Sequence, residues 1–138
     1  MAGYSRTPLA KKLGIKAGGK LFVANGPANY DALLAPWPDG VAVLAAISPQ
    51  VDVAHIFVTS RAELASQLKA CMAKLRDDAA VWVSWPKKSS KVATDMSEDV
   101  IRTVALPMGL VDIKVCAIDE VWSALKLVVR KENRKPRT

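Results

Sequence analysis

"VDVAHIFVTSRAEL", residues 51–64, is the stretch on which the reading of the fold turns. Residues 53–58 are apolar at nearly every position, the density of a strand covered on both faces rather than the alternation of a half-wet one. Directly after it, Ser60 and Glu63 stand three apart. That is the spacing of a capping box, in which hydroxyl and carboxylate satisfy free amides at a helix start. A helix over residues 61–76 follows, and its Leu64, Leu68, Cys71, Met72 and Leu75 recur at three and four residues as one buried stripe. A doubly covered strand running straight into an amphipathic helix is half of a strand-helix-strand unit, which points to an α/β layer structure with a mainly parallel sheet.

The flanking sequence repeats the pattern. Upstream, Thr7-Pro8 reads as an N-cap and first helical position, and Gly14 as a left-handed stop, for a short helix over residues 8–13. Strands are expected at 21–24 and 41–47, with two helical turns between them at 29–35 presenting Tyr30, Leu33 and Leu34. Downstream, "VWVSWPKKSS", residues 81–90, ends a fourth strand over 80–85, with Val81, Val83 and Trp85 on one face and Trp82 on the other. Asp95 and Glu98 repeat the capping-box spacing ahead of a helix that buries Val100, Ile101, Val104 and Ala105. Strands over 111–118 and 125–130 flank "DEVWSA", close enough to pair as an antiparallel hairpin.

With 138 residues the chain suits one core, burying roughly two-thirds of its unfolded surface. The expected organisation is a single domain over 1–130 and a basic, frayed tail over 131–138. No apolar run reaches the ~18 residues needed to span a bilayer and no leader segment is recognisable, so a cytoplasmic protein without membrane contact is expected. Cys71 and Cys116 lack the spacing of a metal site and the density of a disulfide scaffold, and read as buried thiols.

The net charge of +7 sits at the ends. Residues 1–20 carry five basic side chains and no acid, residues 130–138 carry five against Glu132, and the stretch between sums to −2. Attraction to phosphate would therefore come from the termini and from Lys87, Lys88 and Lys91.

"TPLAKKLGIKAG", "FVTSRAEL", "VWVSWPKKSS" and "ALPMGLVDIKVCAIDEVWSALKLVVRK" together resemble a family of short bacterial proteins whose function is unknown, over about residues 2–131. The element order also resembles a shortened Rossmann-like methyltransferase fold. That resemblance implies a three-layer, six-stranded sheet of order 2-1-3-4-6-5, closing in an antiparallel hairpin. Methyltransferases of this kind use an acidic residue and a Gly-x-Gly loop after the first strand, and a carboxylate ending the second, to hold S-adenosylmethionine. The matching positions read Val23-Ala24-Asn25-Gly26-Pro27 and Ala45-Ala46-Ile47-Ser48, with no acid, one glycine, and a proline where an amide donor is wanted.

In open parallel sheets ligands bind beyond the carboxyl ends of the strands. The candidate ligand-binding residues at that edge are Asn25, Gly26, Ser60, Arg61, Trp85, Lys87, Lys88 and Ser89, with Asp119 and Glu120 at the hairpin tip. His55, the lone histidine, falls in mid-strand and is expected to pack beneath a helix. No second histidine or nearby cysteine completes a metal set, and no Gly-x-Ser-x-Gly elbow supplies a nucleophile. The expectation is a non-catalytic or degenerate domain with no cofactor assigned, binding an anionic small molecule or a protein partner at this edge. The alternatives are an accessory nucleic-acid-binding protein acting weakly through its basic termini, and a divergent methyltransferase.

Overall fold

The structure, a computed structural model, describes residues 7–134. The outer parts of both basic termini, residues 1–6 and 135–138, lie outside the described residues. In chain order the elements are α1 (Leu9–Lys12), β1 (Lys20–Ala24), α2 (Tyr30–Leu34), β2 (Ala42–Leu44), β3 (Val53–Phe57), α3 (Arg61–Lys74), β4 (Ala80–Pro86), α4 (Glu98–Ala105), β5 (Leu110–Ala117) and β6 (Trp122–Val129).

The six strands form one sheet of order β2-β1-β3-β4-β6-β5, with β2, β1, β3 and β4 parallel and the β5–β6 hairpin antiparallel. β3 is buried at all five positions because both faces are covered. On one face Ile56, Val83 and Leu125 pack with Leu64 and Leu68 of α3 and Ile101 of α4. On the other, Phe57 and Trp82 pack with Leu13, Tyr30 and Leu34 around the shorter α1 and α2. Val81, Val83 and Trp85 therefore oppose Trp82 across the sheet, as their alternation requires. Cys71 and Cys116 are buried free thiols in different layers. Burial pushes the Cys71 thiol up to about 11, so it stays protonated.

The boundaries differ from expectation where long-range contacts decide them. β2 spans three residues rather than 41–47: it is an edge strand paired only with β1 over Ala42–Leu44, and Ala45 and Ala46 beyond it are exposed. β6 begins at Trp122, inside the segment expected to be loop, because Trp122 pairs with Pro86 and Ser123 with Trp85. α1 begins at Leu9, with Pro8 as its N-cap residue in an extended conformation. Met72 is 38% exposed, one position past Cys71 and hence turned off the buried stripe.

The cap of α4 is Ser97, whose hydroxyl accepts from the Val100 amide at 3.2 Å. Asp95 is drawn elsewhere: its carboxylate accepts from the Arg61 amide at 2.8 Å, satisfying a free donor at the start of α3. After β6, residues 131–134 fold back: Arg134 Nε donates to the Val129 carbonyl at 3.1 Å and the Asn133 side-chain amide to the Gly109 carbonyl at 3.4 Å.

Candidate functional site

Because β1, β3 and β4 are parallel neighbours, their exit turns gather on one edge of the sheet. Asn25, Ser60, Arg61 and Lys87 all stand on this rim, and the turn between β5 and β6 joins them, since β6 runs antiparallel to β4. Four cross-links tie the rim together. The Asn25 side-chain amide donates to the Phe57 carbonyl at 3.5 Å, and the Thr94 hydroxyl donates to the Thr59 carbonyl at 2.6 Å. The Lys87 amide donates to the Val121 carbonyl at 2.7 Å, and the Lys87 ammonium to the Asp119 carbonyl at 2.6 Å.

Each expected site residue has a definite local role. Asn25 is exposed and adopts the left-handed conformation at φ 57°, which turns the chain out of β1. Gly26 is explained by packing: a Cβ there would meet Val23 Cγ1 at 2.8 Å. Its missing side chain makes room for the strand. Ser60 caps α3, its hydroxyl accepting from the Glu63 amide at 3.1 Å, while the Glu63 carboxylate reaches one residue past the cap and accepts from the Thr59 amide at 2.9 Å. Trp85 is 8% exposed and belongs to the α3–α4 core, so it offers no open ring for stacking. Lys88 and Ser89 are exposed in a 3-10 turn at Lys88–Ser90, which Lys91 closes at φ 61°. Asp119 spends its carboxylate on the hairpin, accepting from the Val121 and Trp122 amides at 2.9 and 2.8 Å.

Arg61, Lys87, Lys88 and Lys91 take part in none of the ion pairs among the described residues, which engage only Arg76, Arg102 and Arg130 as cations. Among the same residues, no three His, Cys, Asp or Glu side chains converge as a metal set. No helix is long and apolar enough to cross a membrane.

His55 lies beneath α2, as its strand position requires. Its Nδ1 stands 2.8 Å from the Tyr30 hydroxyl and its Nε2 2.7 Å from the Ser84 hydroxyl, and all three residues are buried. Burial lowers the imidazole to about 3 and pushes the Tyr30 hydroxyl upward. Both groups are neutral at pH 7. In the neutral ring one nitrogen donates and the other accepts, so either tautomer is fully partnered. The chain is a satisfied core network without access to a substrate.

Two hollows lie away from the expected site residues. One, of about 500 Å³, opens at the opposite edge of the sheet between residues 13–21, Asp52, Arg76, Asp78 and Lys126. The other, also about 500 Å³, lies between α1 and β5, lined by Lys11, Lys12, Lys114 and Cys116 among others. The available signal was the run "KKLGIKAGGK", residues 11–20, in which glycines and lysines alternate without an acid.

No family model matches the chain, and no curated protein matches it in sequence. Solved structures do share its fold. A protein from Sulfolobus solfataricus assigned to the type 11 methyltransferases superposes with a TM-score of 0.56 at 16% identity, covering 94% of each chain. A SAM-dependent methyltransferase from Aquifex aeolicus gives 0.57 at 14% identity over 88% of each chain. A member of the NADB-Rossmann superfamily from Streptococcus agalactiae gives 0.54 at 9% identity, covering 99% of this chain and 73% of its own. At such identities the likeness concerns the fold alone, and the chain is a Rossmann-like α/β domain with a six-stranded sheet of order β2-β1-β3-β4-β6-β5.

Proposed function

We propose that this chain is a degenerate, non-catalytic Rossmann-like domain that holds an anionic small molecule at the carboxyl edge of its sheet. The observation that carries this reading is the gathering of Arg61, Lys87, Lys88 and Lys91 on one rim with no carboxylate in ion-pair contact. Cations held outside ion pairs keep their charge for a ligand and favour an anion. Arg61, Lys87 and Lys88 would neutralise the ligand, and Asn25 and Ser89 would donate hydrogen bonds.

The cofactor of the methyltransferase neighbours does not fit these residues. No acid follows β2 before Asp52, Pro27 has no amide to donate, and Gly26 faces Val23. A shared fold does not carry an activity with it.

Thermal denaturation with millimolar pyrophosphate or ADP as probe tests the reading. A ligand at a hundred times its Kd stabilises by about 2.7 kcal/mol, a rise in Tm on the order of 10 °C for a domain of this size. The rise should vanish in Lys87→Ala/Lys88→Ala. A saturable rise with S-adenosylmethionine would instead favour a divergent methyltransferase, and no rise with any small anion would leave a protein partner as the occupant of the rim.

A further inference from the structure

The face of the sheet that carries α1 is covered by the two short helices α1 and α2. Beyond α1, β6 and β5 present Lys126 and Lys114 on the same side as Trp82 and Cys116. Lys114 and Lys126 are direct cross-strand partners. Two like charges placed opposite each other on a sheet are destabilising, and neither lysine forms an ion pair among the described residues. Lys126 sits 6.0 Å from the Trp82 ring centroid, and Lys12 comes close enough to Cys116, together with Lys114, to act on its thiol. Lys126 lines the first of the two hollows and Lys114 the second, so the hollows adjoin at this pair. Lys16 and Lys20 line the first, Lys11 and Lys12 the second. None of these six lysines forms an ion pair among the described residues.

The carboxylates at hand are already engaged. Asp52 and Asp78 line the first hollow, and both are bonded to Arg76 at 2.9 Å. The six lysines are thus left outside ion pairs among the described residues, with Lys20 acting on the Asp52 carboxylate from a longer distance. Burial of Trp82 removes the nearest stacking platform for a base. Lysines without free arginine forks attract phosphate as point charges and do not impose the planar, two-bond geometry that selects a carboxylate.

We infer that the paired hollows around α1 form one lysine-lined trough that binds the phosphodiester backbone of a single-stranded nucleic acid without regard to its sequence. A single strand, being flexible, can track a basic groove through its phosphates. This site does not share its lysines with the anion rim at the carboxyl edge; it joins Lys11, Lys12, Lys16 and Lys20 of the basic N-terminal stretch to Lys114 and Lys126 of the sheet. Phosphates in the trough would also relieve the repulsion between Lys114 and Lys126.

Fluorescence anisotropy of a labelled mixed-sequence 20-nucleotide DNA strand tests this. With about five phosphates neutralised at ~0.7 per contact, affinity should fall roughly 100-fold between 50 and 200 mM salt. Lys114→Gln/Lys126→Gln should weaken binding more than tenfold at 50 mM salt and lower the salt slope by about 1.4. Its Tm should not fall below that of the wild type, and Lys12→Gln/Lys16→Gln gives an independent second variant. Lys69→Gln/Lys74→Gln on α3 and Lys87→Gln/Lys88→Gln on the rim should leave affinity within about threefold, which also separates this site from the anion rim. Four results would overturn the proposal: no binding by the wild type; an equal loss from the α3 pair; loss on deletion of residues 131–138 with none from Lys114→Gln/Lys126→Gln; or displacement of the strand by equimolar charge as polyglutamate.

Discussion

His55 Nε2 lies 2.7 Å from the Ser84 hydroxyl, and with Tyr30 at its other nitrogen the imidazole is enclosed as a neutral ring. Its folded value, near 3, is below the ordinary 6.5 of the unfolded chain. Between these values the unfolded state binds a proton that the folded state refuses. The contribution is fully present above about pH 6.5 and is lost as pH falls towards 3, by up to a factor of ten in the folding constant per unit. Urea unfolding of wild type and His55→Phe at pH 7.5, 5.5 and 4.5 should show the wild type losing its advantage as pH falls. A difference independent of pH would contradict the burial argument.

Gly26 should resist substitution for a reason internal to the fold. Gly26→Ala places a Cβ 2.8 Å from Val23 Cγ1 and should cost about 1 to 3 kcal/mol in urea unfolding. Val23→Ala removes the obstacle, so the double variant should be more stable than the sum of the single changes predicts. Full additivity would mean that Gly26 is glycine for another reason.

Lys114→Glu converts the like-charge cross-strand pair with Lys126 into an attractive one. Thermal denaturation should show a gain of about 0.2 to 1 kcal/mol at low salt, shrinking as salt is added. A loss of stability would show that the lysines are not in repulsion.

The two serine caps should behave alike. Ser60→Ala and Ser97→Ala each remove an acceptor from a helix start, with an expected cost of about 1 kcal/mol. Asp95→Ala should destabilise α3 by a similar amount, through the Arg61 amide, and should leave α4 capped. Hydrogen exchange at the Arg61 and Val100 amides distinguishes the two effects.

The elements that could be read from sequence were those written locally. The dense apolar run at β3, the box at Ser60 and Glu63, and the alternation around Trp82 each contain their own partners. The misreadings occurred where a partner lies far along the chain. Asp95 stands at a good capping distance from Glu98, yet a free amide 34 residues away claims it and Ser97 takes the nearer duty. Trp122 follows an acidic turn, but β4 extends it into strand. For the rim, parallel pairing places Asn25, Arg61 and Lys87 together as the strand order implies, whereas Trp85 and Gly26 prove to serve packing. Lys114 and Lys126 are twelve positions apart, and their shared face depends on the irregularity between Asp112 and Lys114. No periodicity in the sequence announces that face.

The placement of β6 between β4 and β5 also bears on synthesis. A nascent chain translated through β5 holds two strands that cannot join each other, and the margin of β4, rich in valine and tryptophan, waits bare until residue 129 has emerged. An open strand margin of that composition is a template for misassembly between chains. Ribosome-stalled forms in which β5 but not β6 has left the exit tunnel should therefore recruit chaperones, and forms carrying a C-terminal linker long enough to bring residue 129 out should release them.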